Sequence, residues 1–151
     1  MPQSLVSIPV HVVFSTKDRR PFLRDAGLRG DLHAYLGGTF NGLDSPALAV
    51  GGVADHVHAL IGLGKTRSIS EVVREVKKAS SSWAKEQSQD LRAFAWQSGY
   101  GAFGISPSHD PAVRQYIADQ EEHHRTVSFQ DEFRTLCRKY GVDLDERYVW
   151  D

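Results

Sequence analysis

The chain has a single cysteine, Cys137, which excludes an intramolecular disulfide and a thiolate metal cluster. A reducing cytoplasm suits such a chain, and a lone thiol is compatible with other compartments as well. No apolar run approaches the ~20 residues that a membrane-spanning helix needs. A large charge excess is also missing: 18 Lys and Arg stand against 19 Asp and Glu, a formal net charge of -1. A protein that simply coats nucleic acid would carry a marked positive surplus, so any nucleic-acid contact here must use a local patch. Repeats, low-complexity stretches and splitting linkers are absent, and 151 residues suffice for one domain with a substantial core, residues 1–151. The segment MPQSLVSIPVHVVF has no positively charged start and carries Pro9 and His11 within its apolar part, so it reads as a strand and not as a secretory signal.

What is present is ordinary in bulk and uneven in distribution. Hydrophobic residues make up 40% and charged residues 25%, the balance of a soluble globular protein. Residues 121–151 hold eight acidic and five basic side chains, so the remainder carries a small basic surplus.

Valine and isoleucine over residues 5–14 predict a strand, ended by turn-forming residues 15–21. Leu28, Leu32, Tyr35, Leu36 and Phe40 recur at helical spacing, predicting a helix over 22–40 that Gly37, Gly38 and Gly42 end untidily. Two strands follow, 43–53 and 55–63, read as a hairpin around Gly51 and Gly52. Ser68 and Glu71 form a capping-box pattern ahead of a second long helix marked by Ile69, Val72, Val73, Val76 and Trp83. A fourth strand is predicted over 94–103, interrupted by Gly99 and Gly101, then a flexible connector. Asp110-Pro111 opens a third helix running to about Arg125. A fourth spans 128–140 with Gly141 as its stop, and a short tail closes the chain. The β-α-β-β-α-β order predicts an α+β, ferredoxin-like antiparallel sheet with both helices on one face, followed by C-terminal helices.

Two segments carry chemistry. In GGVADHVHALIGL, His56 and His58 are two apart on a strand and so share a face. They suit either a pair of partly exposed strand histidines or two imidazoles converging on one ion. In PAVRQYIADQ, Val113, Tyr116, Ile117 and Gln120 form one helical stripe. Tyr116 could be a core aromatic with its hydroxyl at the rim. Gln120 fits a core reading poorly, because a buried amide needs a partner. A metal ion is one such partner, and two imidazoles with an amide oxygen leave positions open for substrate, as a catalytic site requires.

The segments HVVFSTKDRRPFL, GGVADHVHALIGL and VRQYIADQ, in this order and spacing, resemble the single-tyrosine HUH transposases of small bacterial insertion sequences, the IS200-like family that includes REP-associated tyrosine transposases. The resemblance runs from about Leu5 to the closing ERYVW and includes the Trp96 to Gly104 stretch. It implies a bacterial cytoplasmic enzyme, nucleoid-associated during reaction, that cuts and rejoins single-stranded DNA at hairpin-marked ends. By the same resemblance Tyr116 is the nucleophile, and His56, His58 and Gln120 bind Mg²⁺ or Mn²⁺. A homodimer is implied too, in which the tyrosine helix can complete the partner's site, with the glycines at 99, 101 and 104 letting it move. Asp55 also matches the motif, with a strand-end hydrogen bond and a metal contact as equal readings.

For DNA contact, the loop clusters Lys17, Arg19 and Arg20, and Lys65 and Arg67, are the candidates. Arg74, Lys77, Lys78 and Lys85 read as a solvated helix face. His11 is expected in or beside the sheet, His123 and His124 at an exposed helix end with Glu121 and Glu122, and Cys137 as a small core residue. Two rivals stand beside the mobile-element reading. One is a non-mobile REP-associated enzyme acting on chromosomal palindromes. The other is a non-catalytic ferredoxin-like nucleic-acid-binding module, which would show aromatics on an open sheet face.

Overall fold

Alternating burial along the strands divides the chain into two cores, one on each side of a sheet. The computed structural model describes residues 2–151. In chain order it contains β1 (Pro9–Ser15), α1 (Ala26–Gly42), β2 (Ala47–Val53), β3 (His56–Gly62), α2 (Ile69–Lys85), β4 (Gly101–Gly104), α3 (Asp110–Ala118), α4 (Gln120–His123) and α5 (Phe129–Tyr140), with short 3-10 turns between. The strands form one sheet in the order β2-β3-β1-β4, and every neighbouring pair is antiparallel.

Period-two alternation sends Val10, Val12 and Phe14 of β1 and Val57, Ala59 and Ile61 of β3 to one face. There they meet Leu32, Leu36 and Phe40 of α1 and Val72, Val73 and Val76 of α2. The first two helices thus share a face, as the element order predicts. Val13 and Leu60 point the other way, onto Phe129, Phe133, Leu136 and Cys137 of α5 and Val113 and Ile117 of α3. Helices therefore cover the sheet on both sides.

Several boundaries differ from the sequence reading. β1 begins at Pro9, because its neighbour β3 ends opposite it at Gly62; Leu5, Val6 and Ile8 before it are exposed. α1 starts later, at Ala26, where the Asp25 carboxylate accepts from the Leu28 amide, and it runs through its glycines to Gly42. β2 begins at Ala47, since Leu43 to Ser45 are used in the turn that closes α1, with Asp44 at φ 59. The β2–β3 turn lies at Ala54 and Asp55, not at the glycines.

The largest correction is β4, which is only Gly101–Gly104. Upstream, a single bridge joins Thr16 and Trp96, and the backbone finds other partners: the Ser98 amide donates to the Asp151 carbonyl, and Lys77 Nζ donates to the Gln97, Ser98 and Gly99 carbonyls. Lys77 is therefore not part of a solvated face. Burial lowers its pKa to about 8. The closing residues also dock, with Val149 and Trp150 packed against the α5 core and the Trp150 carbonyl accepting from Arg19.

α5 is capped at both ends, and its stop is the expected one. Ser128 Oγ accepts from the Asp131 amide, and Gly141 takes the left-handed φ of 69 at the stop. No helix among the described residues is long and apolar enough to cross a membrane.

Candidate active site

His56 and His58 open β3 and project onto the face covered by the C-terminal helices, opposite Ser15 and Val13 of β1. Both are 0% exposed, so the reading of partly exposed strand histidines does not hold. Each ring is held from behind. Asp55 Oδ1 accepts from His56 Nδ1 at 2.7 Å, a strand-end hydrogen bond that orients the first histidine. His58 Nδ1 lies 2.8 Å from Nε2 of His11, which is buried against the sheet as expected.

α3 lies across the same face. Its close approach needs Gly51 on β2, where a Cβ would fall 2.4 Å from the Ile117 carbonyl oxygen. Val113, Ile117 and Gln120 are buried and Tyr116 is half-buried, the stripe that the spacing predicts. The helix does not continue to Arg125. It stops at Asp119, and Gln120 begins the separate turn α4. There Gln120 Nε2 donates to the Tyr116 carbonyl at 3.3 Å, which turns Oε1 toward His56 Nε2 at 3.1 Å. The Tyr116 ring stands 5.7 Å from the His58 ring of the same chain.

Two residues at the centre were not singled out from sequence. Glu132, on α5, is 2% exposed. Its Oε1 lies 2.9 Å from His58 Nε2, 3.0 Å from His124 Nε2 and 3.3 Å from His56 Nε2. Its Oε2 accepts from the Tyr116 hydroxyl. His124, expected at an exposed helix end, is turned inward and donates from Nδ1 to the Val127 carbonyl at 2.6 Å. His123 is half-buried beside Tyr116, while Glu121 and Glu122 are exposed. A sequence signal for Glu132 existed: it shares the apolar stripe of Phe129, Phe133 and Leu136, the same anomaly that marks Gln120.

The electrostatics follow from this crowding. Burial would raise the Glu132 carboxyl, but hydrogen bonds from His124, His56 and His58 outweigh it and hold the group far below the usual carboxylate range. Burial would lower His56, yet Asp55 and then Glu132 raise it to about 9. Burial pulls His58 down to about 4 despite Glu132, and His11, buried beside His58, to about 3. Burial and the Glu132 charge push the Tyr116 hydroxyl well above its ordinary value.

These donors suit a cation. Asp55 and the Val127 carbonyl fix the Nδ1 protons of His56 and His124. In their neutral forms both rings therefore aim Nε2 lone pairs at Glu132 Oε1, with Gln120 Oε1 beside them. Acceptors facing acceptors repel unless a proton or a metal ion lies between them. The ligand-capable atoms of His56, His58, His124 and Glu132 all lie within 4.8 Å of one another.

The basic candidates divide by position. Arg19 is half-buried and borders a cleft of about 530 Å³ together with Asp55, His124, Arg29 and Arg125. Lys17 and Arg20 are exposed, with Arg20 over the Phe22 ring. Lys65 and Arg67 follow the far end of β3, about 20 Å along the strand from His56 at a strand's usual rise. Arg67 there pairs with Glu71 at 2.8 Å.

Comparison with known proteins agrees with this geometry. Among solved structures, the chain is similar to a crystal structure assigned as a transposase of Deinococcus radiodurans R1, with 21% identity and a TM-score of 0.62, covering 80% of this chain and 95% of that one. It is also similar to a REP-associated tyrosine transposase bound to a REP hairpin, with 15% identity and a TM-score of 0.61, covering 84% of this chain and 74% of that one. At these identities the likeness is one of fold. Among curated proteins there is no match. The model of the IS200-like transposases matches residues 4–120, most of the chain and the segments bearing His56, His58, Tyr116 and Gln120, and the chain belongs to that family.

Proposed function

We propose that residues 1–151 form one catalytic domain that cuts and rejoins single-stranded DNA at hairpin-marked ends through a 5′-phosphotyrosine intermediate on Tyr116. One observation carries this reading: the Tyr116 hydroxyl rests on the carboxylate that the paired histidines also touch. A core tyrosine needs no such neighbours. His56, His58 and Gln120 would hold Mg²⁺ or Mn²⁺, which polarises the scissile phosphodiester and lowers the cost of phenolate, roughly 4 kcal/mol at pH 7 for an unperturbed tyrosine.

The chain itself positions the nucleophile. Glu132 Oε2 accepts the phenolic hydrogen bond and so orients the oxygen, while the carboxylate's low proton affinity leaves the phenolic proton to solvent as the oxygen attacks phosphorus. The P–O3′ bond breaks, and the leaving 3′ oxygen takes up a proton to become a hydroxyl. The phosphodiester's bond energy is retained in the phosphotyrosine, so a second 3′ hydroxyl can attack it and join new ends without ATP. Tyr116 lies beside its own chain's histidines, which supports attack within one chain. A homodimer would then present two such sites, one for each marked end.

Hairpin recognition is supported by the fold shared with the hairpin-bound REP-associated transposase. The mobile and chromosomal readings use the same chemistry. A non-catalytic module reading for stacked bases loses its main support, because helices cover both sheet faces. The test is incubation of the protein and Mn²⁺ with labelled single-stranded ends from its own locus. A covalent protein–DNA adduct and a free 3′ hydroxyl are expected with hairpin-forming strands and not with matched duplex. Equal cutting of duplex would contradict the proposal.

A further inference from the structure

The family match ends at residue 120, yet the site does not. His124 and Glu132 come from the segment beyond it and stand at the centre of the cluster. We infer that both ligate the same dication as His56 and His58, giving a site of three imidazoles and one carboxylate beside the Gln120 amide oxygen that takes Mn²⁺ and related transition dications in preference to Mg²⁺. This inference rests on the metal-dependent reading above and adds to its ligand set.

Three observations support it. First, all four ligand-capable atoms lie within 4.8 Å of one another, close enough to share one ion. Second, each ring is fixed through Nδ1 by a group that is not itself among the four: Asp55 for His56, His11 for His58 and the Val127 carbonyl for His124. That leaves Nε2 of all three turned to the same carboxylate oxygen. Orientation of a ring through its remote nitrogen is how proteins prepare ligating histidines. Third, Glu132 divides its oxygens, Oε1 toward the three Nε2 atoms of His56, His58 and His124, and Oε2 toward the Tyr116 hydroxyl, with His123 Nε2 also 3.3 Å from Oε2. The carboxylate thereby links the ion's site to the nucleophile. The metal preference follows from the donors: imidazole-rich sets favour first-row transition ions, whereas Mg²⁺ prefers oxygen ligands and retained waters.

The test is calorimetric titration of the full chain with Mn²⁺ and with Mg²⁺, on wild type and on Glu132→Gln, His124→Ala and His56→Ala, with near-UV circular dichroism to confirm folding. The wild type should bind Mn²⁺ at least about tenfold more tightly than Mg²⁺. Glu132→Gln and His124→Ala should each weaken Mn²⁺ by about tenfold or more, and His56→Ala should abolish it. Wild-type affinity in the first two variants, with loss in the third, would overturn this inference and leave the metal reading standing. Unchanged affinity in all three would overturn the metal reading itself. X-ray absorption of the Mn²⁺-loaded wild type needs no variant to fold: scattering from three imidazoles is expected, and from two would contradict it.

Discussion

Asp55 and Glu132 are both acidic residues beside His56, and they act differently. Asp55 sits at the rim and holds one ring nitrogen, while Glu132 is buried among all three rings. Removing an orienting carboxylate typically weakens a metal site by 10–100-fold, so Asp55→Ala should weaken Mn²⁺ by about that factor with the fold intact. Calorimetry checks this, and an unchanged affinity would mean that the ring needs no such support. His33 on α1 gives an independent residue-scale test away from the site. Burial, with Arg29 nearby, lowers its pKa to about 4, and its Nε2 has no hydrogen-bond partner. The unfolded chain therefore binds a proton that the folded chain refuses between about pH 6.5 and 4. Stability should be unaffected by this group above pH 6.5 and fall as pH drops toward 4, by up to about 3 kcal/mol. Urea denaturation of wild type and His33→Gln across that range should show a shallower acid loss in the variant; parallel curves would contradict the assignment. Individual residues were unevenly legible in the sequence. His56, His58, Tyr116 and Gln120 were marked by motif and periodicity. Glu132 lies on the apolar stripe of its helix, a signal masked because an acid in a helix's first turn is also an ordinary companion of the helix dipole.

At the scale of elements, the site depends on how closely two helices lie on the sheet. Gly51 admits α3, and Gly101 on β4 admits α5, where a Cβ would stand 2.8 Å from Phe133 Cε2. Gly51→Ala meets backbone, which cannot rotate aside, so α3 must lift. A loss of about 1–3 kcal/mol in stability is expected, together with weaker DNA cleavage as Tyr116 moves from Glu132. Thermal denaturation and a cleavage assay on one preparation check this; full stability and activity would show that α3 is not seated as described. These glycines read in sequence as turn or hinge signals, since close approach by a distant helix leaves no local trace. The same limit explains β4. Phe94 and Trp96 are buried like strand residues, but the backbone after them bonds to the C-terminus and to Lys77, partners that propensity does not reveal. Two helix ends were more legible: Ser68 and Gly141 act where the sequence puts them, because capping is local chemistry.

For the whole molecule, near-zero net charge means that DNA must be held by local contacts, with Arg19 at the site cleft the best placed of the basic candidates. Hairpin binding should weaken by roughly 0.7 log units per tenfold rise in salt for each phosphate neutralised on single strands, and Arg19→Ala should reduce that slope by about one contact. Fluorescence anisotropy over a salt series measures it, and an unchanged slope would remove Arg19 from the interface. The antiparallel sheet and its first two helices could be read from the order of elements, whereas the docking of the C-terminal helices onto the opposite face could not, because it rests on contacts between residues about 50 to 120 positions apart in the chain. That docking brings tyrosine, histidines and carboxylate together, and Tyr116 is where the account is most exposed. Tyr116→Phe removes one oxygen and keeps the ring. After reaction with a hairpin-forming single strand, Mn²⁺ and nuclease digestion, mass spectrometry should find a nucleotide on the Tyr116 peptide of the wild type and no adduct or cleavage in the variant. Full activity in Tyr116→Phe, or an adduct mapped to Tyr100 or Tyr140, would contradict it.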